Sequence, residues 1–176
     1  MLGLGLSLVY QKESFIKIGA TYQGGIIFYV DGSGGVLISA SLNDTTSIYG
    51  CYGTNISGAA GTAVGTGNQN TLDIVAAECP AGPTAGNRCY DKTSEGYSDW
   101  FLPSKDELNL MHANIGQGNT LGLGNIGGFE DGYYWSSTEY SDNKSWTQAF
   151  TPTYTLATAA HKNSLLYVRA IRLINI

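Results

Sequence analysis

Glycine gathers at three places in this chain, residues 24–35, 50–67 and 116–132. Glycine enters positive φ without steric cost, so such clusters mark turns and long loops. A chain punctuated this way folds as short elements joined by turns rather than as long helices. The 24 glycines stand among 176 residues of which 43% are apolar and only 13% charged. An apolar share that high excludes a disordered chain, and the absence of a third-position glycine period excludes a collagen helix. The length suits one domain with a hydrophobic core of its own.

Nine basic and fourteen acidic residues leave a net charge of −5, with no cluster of Lys and Arg. Nucleic-acid binding needs a basic stripe to replace phosphate counterions, so that class is set aside. The first residues, Met-Leu-Gly-Leu-Gly-Leu-Ser-Leu-Val, lack the basic start of a signal peptide and fall well short of a membrane span. Residues 1–20 read as an extended anchoring segment, with Leu2, Leu4, Leu6, Leu8 and Val9 as its partner contacts, and residues 21–176 as the domain. Cys51, Cys79 and Cys89 form no C-x-x-C pair, so zinc lacks support. They read as buried thiols, with a bridge between Cys79 and Cys89 across a Pro/Gly turn as the alternative.

Residues 26–30 and 36–40 flank Asp31-Gly32-Ser33-Gly34-Gly35 and predict a β-hairpin. Residues 41–67 predict a long loop. A helix follows from about residue 68 to before Pro80, and a second helical piece covers 85–91. Residues 100–103 predict a short buried strand. Ser104 with Glu107 three residues on is a capping-box signature, and Leu108, Met111 and Ile115 recur on one helical face. Strands are expected at 133–137, 145–151, 154–160 and 166–174, the last three as an antiparallel meander. Hairpin, helices and then strands predict the α+β class, with helices packed on antiparallel sheet.

Four segments carry a resemblance. They are Gly24-Gly25-Ile26-Ile27-Phe28-Tyr29-Val30, then Gly96-Tyr97-Ser98-Asp99-Trp100-Phe101-Leu102-Pro103-Ser104-Lys105-Asp106-Glu107-Leu108, then Tyr134-Trp135-Ser136-Ser137-Thr138-Glu139-Tyr140, and finally Tyr167-Val168-Arg169-Ala170-Ile171-Arg172. In order and spacing, across residues 19–174, they resemble the C-terminal domain family of the Legionella collagen-like adhesin, found in bacteria and phages. The resemblance implies a C-type-lectin-like fold, a long loop region that carries ligand contacts, and frequent trimers at fibre tips. The namesake's sulfated ligands do not suit a net charge of −5. The Leu-Gly-Leu-Gly-Leu opening resembles openings of virion proteins from phages of Bacteroidetes-type bacteria.

Read as residues, Trp100 and Leu102 share a face, Trp135 fills core beneath the loops, and Ser136 and Ser137 satisfy nearby loop backbone. Val168, Ala170 and Arg172 alternate with Tyr167, Arg169 and Ile171. Gly122-Leu123-Gly124-Asn125-Ile126-Gly127 matches G-x-G-x-x-G, but without the strand before and helix after that a dinucleotide site needs. His112 and His161 stand in no hydrolase or zincin motif. The Glu-Pro-Asn, Gln-Pro-Asp and Trp-Asn-Asp tripeptides of calcium-dependent lectins are absent from the sequence. Glu139, Asp142 and Asn143 offer oxygen donors to calcium, although a solvated turn is the preferred reading, so no cofactor is assigned.

A metal-free glycan site needs aromatic platforms beside amides and carboxylates. Glu139, Tyr140, Asp142, Asn143, Trp146 and Gln148 supply both, with Tyr154 and His161 alongside. Cross-strand packing is the competing reading for Trp146 and Tyr154. The sequence thus predicts a non-enzymatic virion surface protein that displays a lectin-like domain to host-surface or mucus glycans. It would be held to other virion proteins by its N-terminal segment and assembled as a homotrimer, without nucleic acid or membrane insertion. A ligand-free capsid or tail decoration protein and a bacterial cell-surface adhesin are the alternatives.

Overall fold

In the computed structural model the described residues are 16–40, 45–153 and 156–176. The protein is α+β: mostly antiparallel sheet, with three short helices among the described residues. The strands are β1 (Thr21–Tyr22), β2 (Gly25–Val30), β3 (Gly35–Ala40), β4 (Thr45–Ser47), β5 (Gly132–Glu139), β6 (Lys144–Phe150), β7 (Ala157–His161), β8 (Leu166–Val168) and β9 (Ile171–Asn175). The helices are α1 (Gly67–Ala76), α2 (Ala85–Tyr90) and α3 (Lys105–Ile115). Among the described residues no helix is long and apolar enough to cross a membrane.

The first sheet runs β1-β2-β3-β9 and begins with the expected hairpin. Asp31 builds its turn: Oδ1 accepts from the amides of Ser33 at 2.7 Å and Gly35 at 2.8 Å. Those bonds, the Gly35 amide foremost, lower the carboxyl's pKa. Every residue of β3 is buried, because the sheet lies between two apolar clusters. Ile27, Val36 and Ile38 face one with Trp100, Leu102 and Trp135. Phe28 and Leu37 face the other with Leu108, Met111, Ile115 and Phe150.

The second sheet runs β4-β8-β5-β6-β7, and here the expected meander is corrected. β6 and β7 pair antiparallel, but the run 166–174 splits in two. β8 pairs with β4 and lies parallel to β5, whereas β9 joins the first sheet. Arg169 marks the split. Its guanidinium is buried, donates to the carbonyls of Gly127 at 2.7 Å, Ala40 at 3.2 Å and Gly128 at 3.2 Å, and lies over Phe129. A buried charge needs several acceptors, and gathering them bends the chain from one sheet to the other. The alternation itself holds: Val168 and Ala170 enter one cluster, and Tyr167 and Ile171 the other.

Three further expectations change. The run 41–67 includes strand β4, which finds its partner far away in sequence. The strand expected at 100–103 reduces to one bridge between Phe101 and Ile171, although Trp100 and Leu102 do share the first cluster. The boundary at residue 20 moves back: Ile16 and Ala20 pack on the first cluster, Ile18 on the second, and the Gly19 amide bonds to the Ile27 carbonyl at 2.8 Å. Leu2, Leu4, Leu6, Leu8 and Val9 lie outside the described residues.

The α3 capping box forms as expected. Glu107 Oε2 accepts from the Ser104 amide at 2.7 Å and Ser104 Oγ from the Glu107 amide at 3.3 Å. Glu107 Oε1 also takes the Gly65 amide at 2.8 Å, so this cap fastens the loop before α1. Burial pushes the Glu107 carboxyl upward against these bonds. A second capping box, Thr84 with Asn87, starts α2. The disulfide joins Cys51 to Cys79, and Cys89 is the buried free thiol. The reading of three buried thiols is therefore corrected for Cys51 and Cys79 and holds for Cys89, and the alternative bridge between Cys79 and Cys89 does not form, since Cys89 lies on the inward face of α2.

Candidate functional site

The β5–β6 hairpin tip, residues 140–143, is built by its own hydrogen bonds. The amides of Tyr140 and Ser141 each reach the Lys144 carbonyl at 3.0 Å, and Ser141 Oγ accepts from the Lys144 amide at 3.2 Å. The tip is tied to two other segments. The Gly53 amide donates to the Asp142 carbonyl at 2.9 Å, and the Lys162 amide to the Asn143 carbonyl at 2.9 Å.

Beneath it lies a buried ion pair. The Lys162 side chain is fully buried, donates from Nζ to the Thr54 carbonyl at 2.8 Å and bonds the Glu139 carboxylate. Glu139 Oε1 and Oε2 also accept from the Ile56 amide at 2.9 and 3.1 Å. Tyr49 closes the space below Lys162, donating its hydroxyl to the Ser137 carbonyl at 2.8 Å. Burial raises the Tyr49 phenol far above its ordinary range. The pair therefore clamps residues 49–58 to the end of the second sheet.

The clamp presents two aromatic corners. Tyr140, 57% exposed, meets the half-buried Trp146 nearly edge-on with centroids 5.1 Å apart. The Lys105 ammonium lies 4.8 Å from the Trp146 centroid. Tyr52, 51% exposed, pairs with exposed His161 at 6.0 Å. The Asp142 and Asn143 side chains, hydrogen-bonded to each other at 3.0 Å, sit on the tip between these segments. Behind the Tyr52 loop runs an open groove of about 390 Å³, lined by Cys51, Thr54, Asn55, Ile56, Ser57 and Asp73 among others. Its volume lies within the usual span of small-ligand sites, roughly 300–1,000 Å³.

The structure thus brings Tyr140, Asp142, Asn143, Trp146 and His161 to one end of the second sheet. Two expected ligand residues are corrected. Glu139 is committed to Lys162 and the Ile56 amide, which also withdraws it from the calcium trio. Gln148 is 2% exposed, buried within β6. Tyr154 lies outside the described residues. Among the described residues no group of three or more His, Cys, Asp and Glu is arranged to hold a metal ion. Ser136 and Ser137 also act differently than expected: Ser136 Oγ donates to the Trp146 carbonyl within the sheet, and Ser137 Oγ accepts from Asn70 of α1.

Three residues of this end were not anticipated: Tyr52, Lys105 and Lys162. Lys105 did carry a signal. A cation in the first turn of a helix sits at the positive end of its dipole, the wrong sign for stability. Tyr52 is an aromatic in a Gly/Ser/Thr loop. Lys162 carried none, since its burial follows from long-range contacts. Elsewhere, burial pushes the Cys89 thiol up and the His112 imidazole down.

No family model matches the chain. No curated protein matches it either.

Proposed function

We propose that this chain is a non-enzymatic display protein whose C-type-lectin-like domain binds neutral glycans through the end of its second sheet. The observation that carries the reading is the aromatic tip fixed by a buried ion pair. Tyr140 and Tyr52 stand exposed beside Asp142, Asn143 and His161, on backbone held by Glu139 and Lys162. Sugar rings present apolar CH faces that stack on tyrosine, and hydroxyls that bond amides and carboxylates; a preformed platform lowers the ordering cost of binding. The four motifs and the α+β architecture support the lectin-like assignment. The leader resemblance supports a phage virion surface, with residues 1–20 toward other virion proteins and a homotrimer as the assembly. The Cys51–Cys79 disulfide suits either that or a bacterial cell surface, both being oxidising.

Full-length protein on a broad glycan array, with and without calcium, tests the reading. Binding of neutral glycans without calcium, weakened on Tyr140→Ala, is expected. No binding under either condition overturns it.

A ligand-free decoration protein is the second reading. It is favoured by Leu156, 60% exposed just before the edge strand β7, and Leu165, 70% exposed in the connection from β7 to β8. β7 itself carries small uncharged residues up to His161, the kind of edge that invites pairing. Burial of residues 139–161 between subunits in the assembled particle would decide for it.

A further inference from the structure

A groove on the first sheet is built around one aromatic ring and one carboxylate. Along β2 the side chains alternate between the two apolar clusters, Ile27 into the first and Phe28 into the second. The register with β3 then slips: Ile27 lies opposite Ile38, but Tyr29 lies opposite Leu37. Without the slip Tyr29 would stand opposite Val36, which belongs to the first cluster. The bulge instead turns its ring to the Phe28 side, where it packs on the second cluster and stays half-buried. Bulges re-aim side chains in this way beside functional sites. Leu37 in turn lies opposite Leu173 of β9, so Tyr29, Leu37 and Leu173 form a row across β2, β3 and β9.

That row lines a groove of about 310 Å³, walled by Val64 and Gly65. The wall is held in place by α3. The Thr62 carbonyl accepts from the Asp106 amide at 3.0 Å, the Ala63 carbonyl from Ser104 Oγ at 2.9 Å, and the Gly65 amide donates to Glu107 at 2.8 Å. Leu37 is buried, but Leu173 and Val64 are 48% and 40% exposed, so apolar surface stays open to water between two fixed sides.

Asp31 stands at the hairpin end of the groove. The bonds it accepts from the Ser33 amide, the Ser33 hydroxyl and the Gly35 amide all fall on Oδ1. Oδ2 lies over Gly35, where a methyl group on the α-carbon would overlap it. Gly35 and Leu37 stand two apart on β3 and share a face, so Oδ2 is on the groove side of the sheet. The turn bonds hold this carboxyl below its usual range, which keeps it charged at neutral pH. No Lys, Arg or His is among the described residues that line the groove.

We propose that this groove binds a small organic cation, a primary amine on an apolar body the size of a single ring, with its ammonium at Asp31 and its body along Tyr29, Leu37 and Leu173. A carboxylate and an aromatic face both attract an ammonium. A neutral or anionic molecule of the same shape gains neither. The volume lies at the small end of the ligand range of roughly 300–1,000 Å³, and sides fixed in advance lower the ordering cost of binding. The inference does not rest on the glycan reading, which concerns the end of the second sheet.

The test titrates the full chain with 2-phenylethylamine, 2-phenylethanol and phenylacetate and follows backbone amide shifts. The amine is expected to shift amides of residues 29–37, 64–65 and 173, and to bind about tenfold more tightly than the alcohol or the acid. Asp31→Asn keeps an Oδ1 acceptor for the turn and should weaken the amine about tenfold while leaving the alcohol unchanged. Val64→Trp, at an exposed loop position, should fill the groove and abolish the shifts. Shifts confined to other parts of the chain, equal affinity for amine and alcohol, or amine binding unchanged in either variant overturns the proposal. Should Asp31→Asn disturb the hairpin, the ligand series and Val64→Trp still decide.

Discussion

Lys162 and Glu139 form a buried ion pair that fastens the loop before α1 to the end of the second sheet. Removing one partner of such a pair costs roughly 3–5 kcal/mol, because the other charge is left in a dry site. Lys162→Met should therefore lower unfolding stability by an amount in that range. Adding Glu139→Gln, which keeps an acceptor for the Ile56 amide, should restore at least half of the loss. Urea denaturation of the three proteins measures this, and a Lys162→Met variant as stable as the parent would remove the clamp from the account.

The disulfide closes a stretch of 28 residues around α1. A loop of that length stabilises by roughly 3–4 kcal/mol in the chain-entropy treatment. Reduction should lower Tm by roughly 10 °C for a chain of this size. Non-reducing peptide mapping should recover Cys51 linked to Cys79, with Cys89 resisting alkylation until the protein unfolds. A peptide linking Cys79 to Cys89 would contradict the fold.

His112 is buried against the edge of Phe150, and among the described residues its Nε2 has no hydrogen-bond partner. Burial depresses its pKa, so the unfolded chain takes up the proton first as pH falls. Its contribution to stability is complete above about pH 6.5 and is lost as pH drops through the folded-state pKa. His112→Met should flatten this slope, so the variant gains on the parent more at pH 5 than at pH 8. Tm measured for both proteins across that range checks the sign, and parallel curves would refute it.

Tyr140→Ala and Tyr52→Ala remove exposed rings that support none of the core. Each should weaken glycan binding about tenfold, while unfolding stability stays within about 0.5 kcal/mol of the parent, as is usual for surface changes. Titration calorimetry beside thermal melts separates the two effects. A Tyr140→Ala loss of affinity accompanied by an equal loss of folding would mark the ring as structural.

Local signals accounted for most of the elements but not for their partners. The turn built by Asp31 and the capping box of Ser104 with Glu107 were legible because their bonds span five residues or fewer. The candidate site was half legible. Tyr140, Asp142, Asn143 and Trp146 lie within one hairpin, and His161 falls near them through β7. Tyr52 and Lys162 come from elsewhere in the chain, and Glu139 looked available only because its buried partner sits 23 residues away.

The sequence by itself determined the α+β class, the capped α3 with its apolar face, and the glycine-marked loops, since each follows from spacing within a few residues. Only the tertiary structure decided that residues 166–174 serve two sheets, that Cys51 rather than Cys89 pairs with Cys79, and that Glu139 supports the tip instead of serving as a ligand residue. Those outcomes depend on which distant groups share one dry volume. A buried guanidinium or ammonium must collect acceptors wherever the fold supplies them, and residue spacing along a chain does not encode that choice.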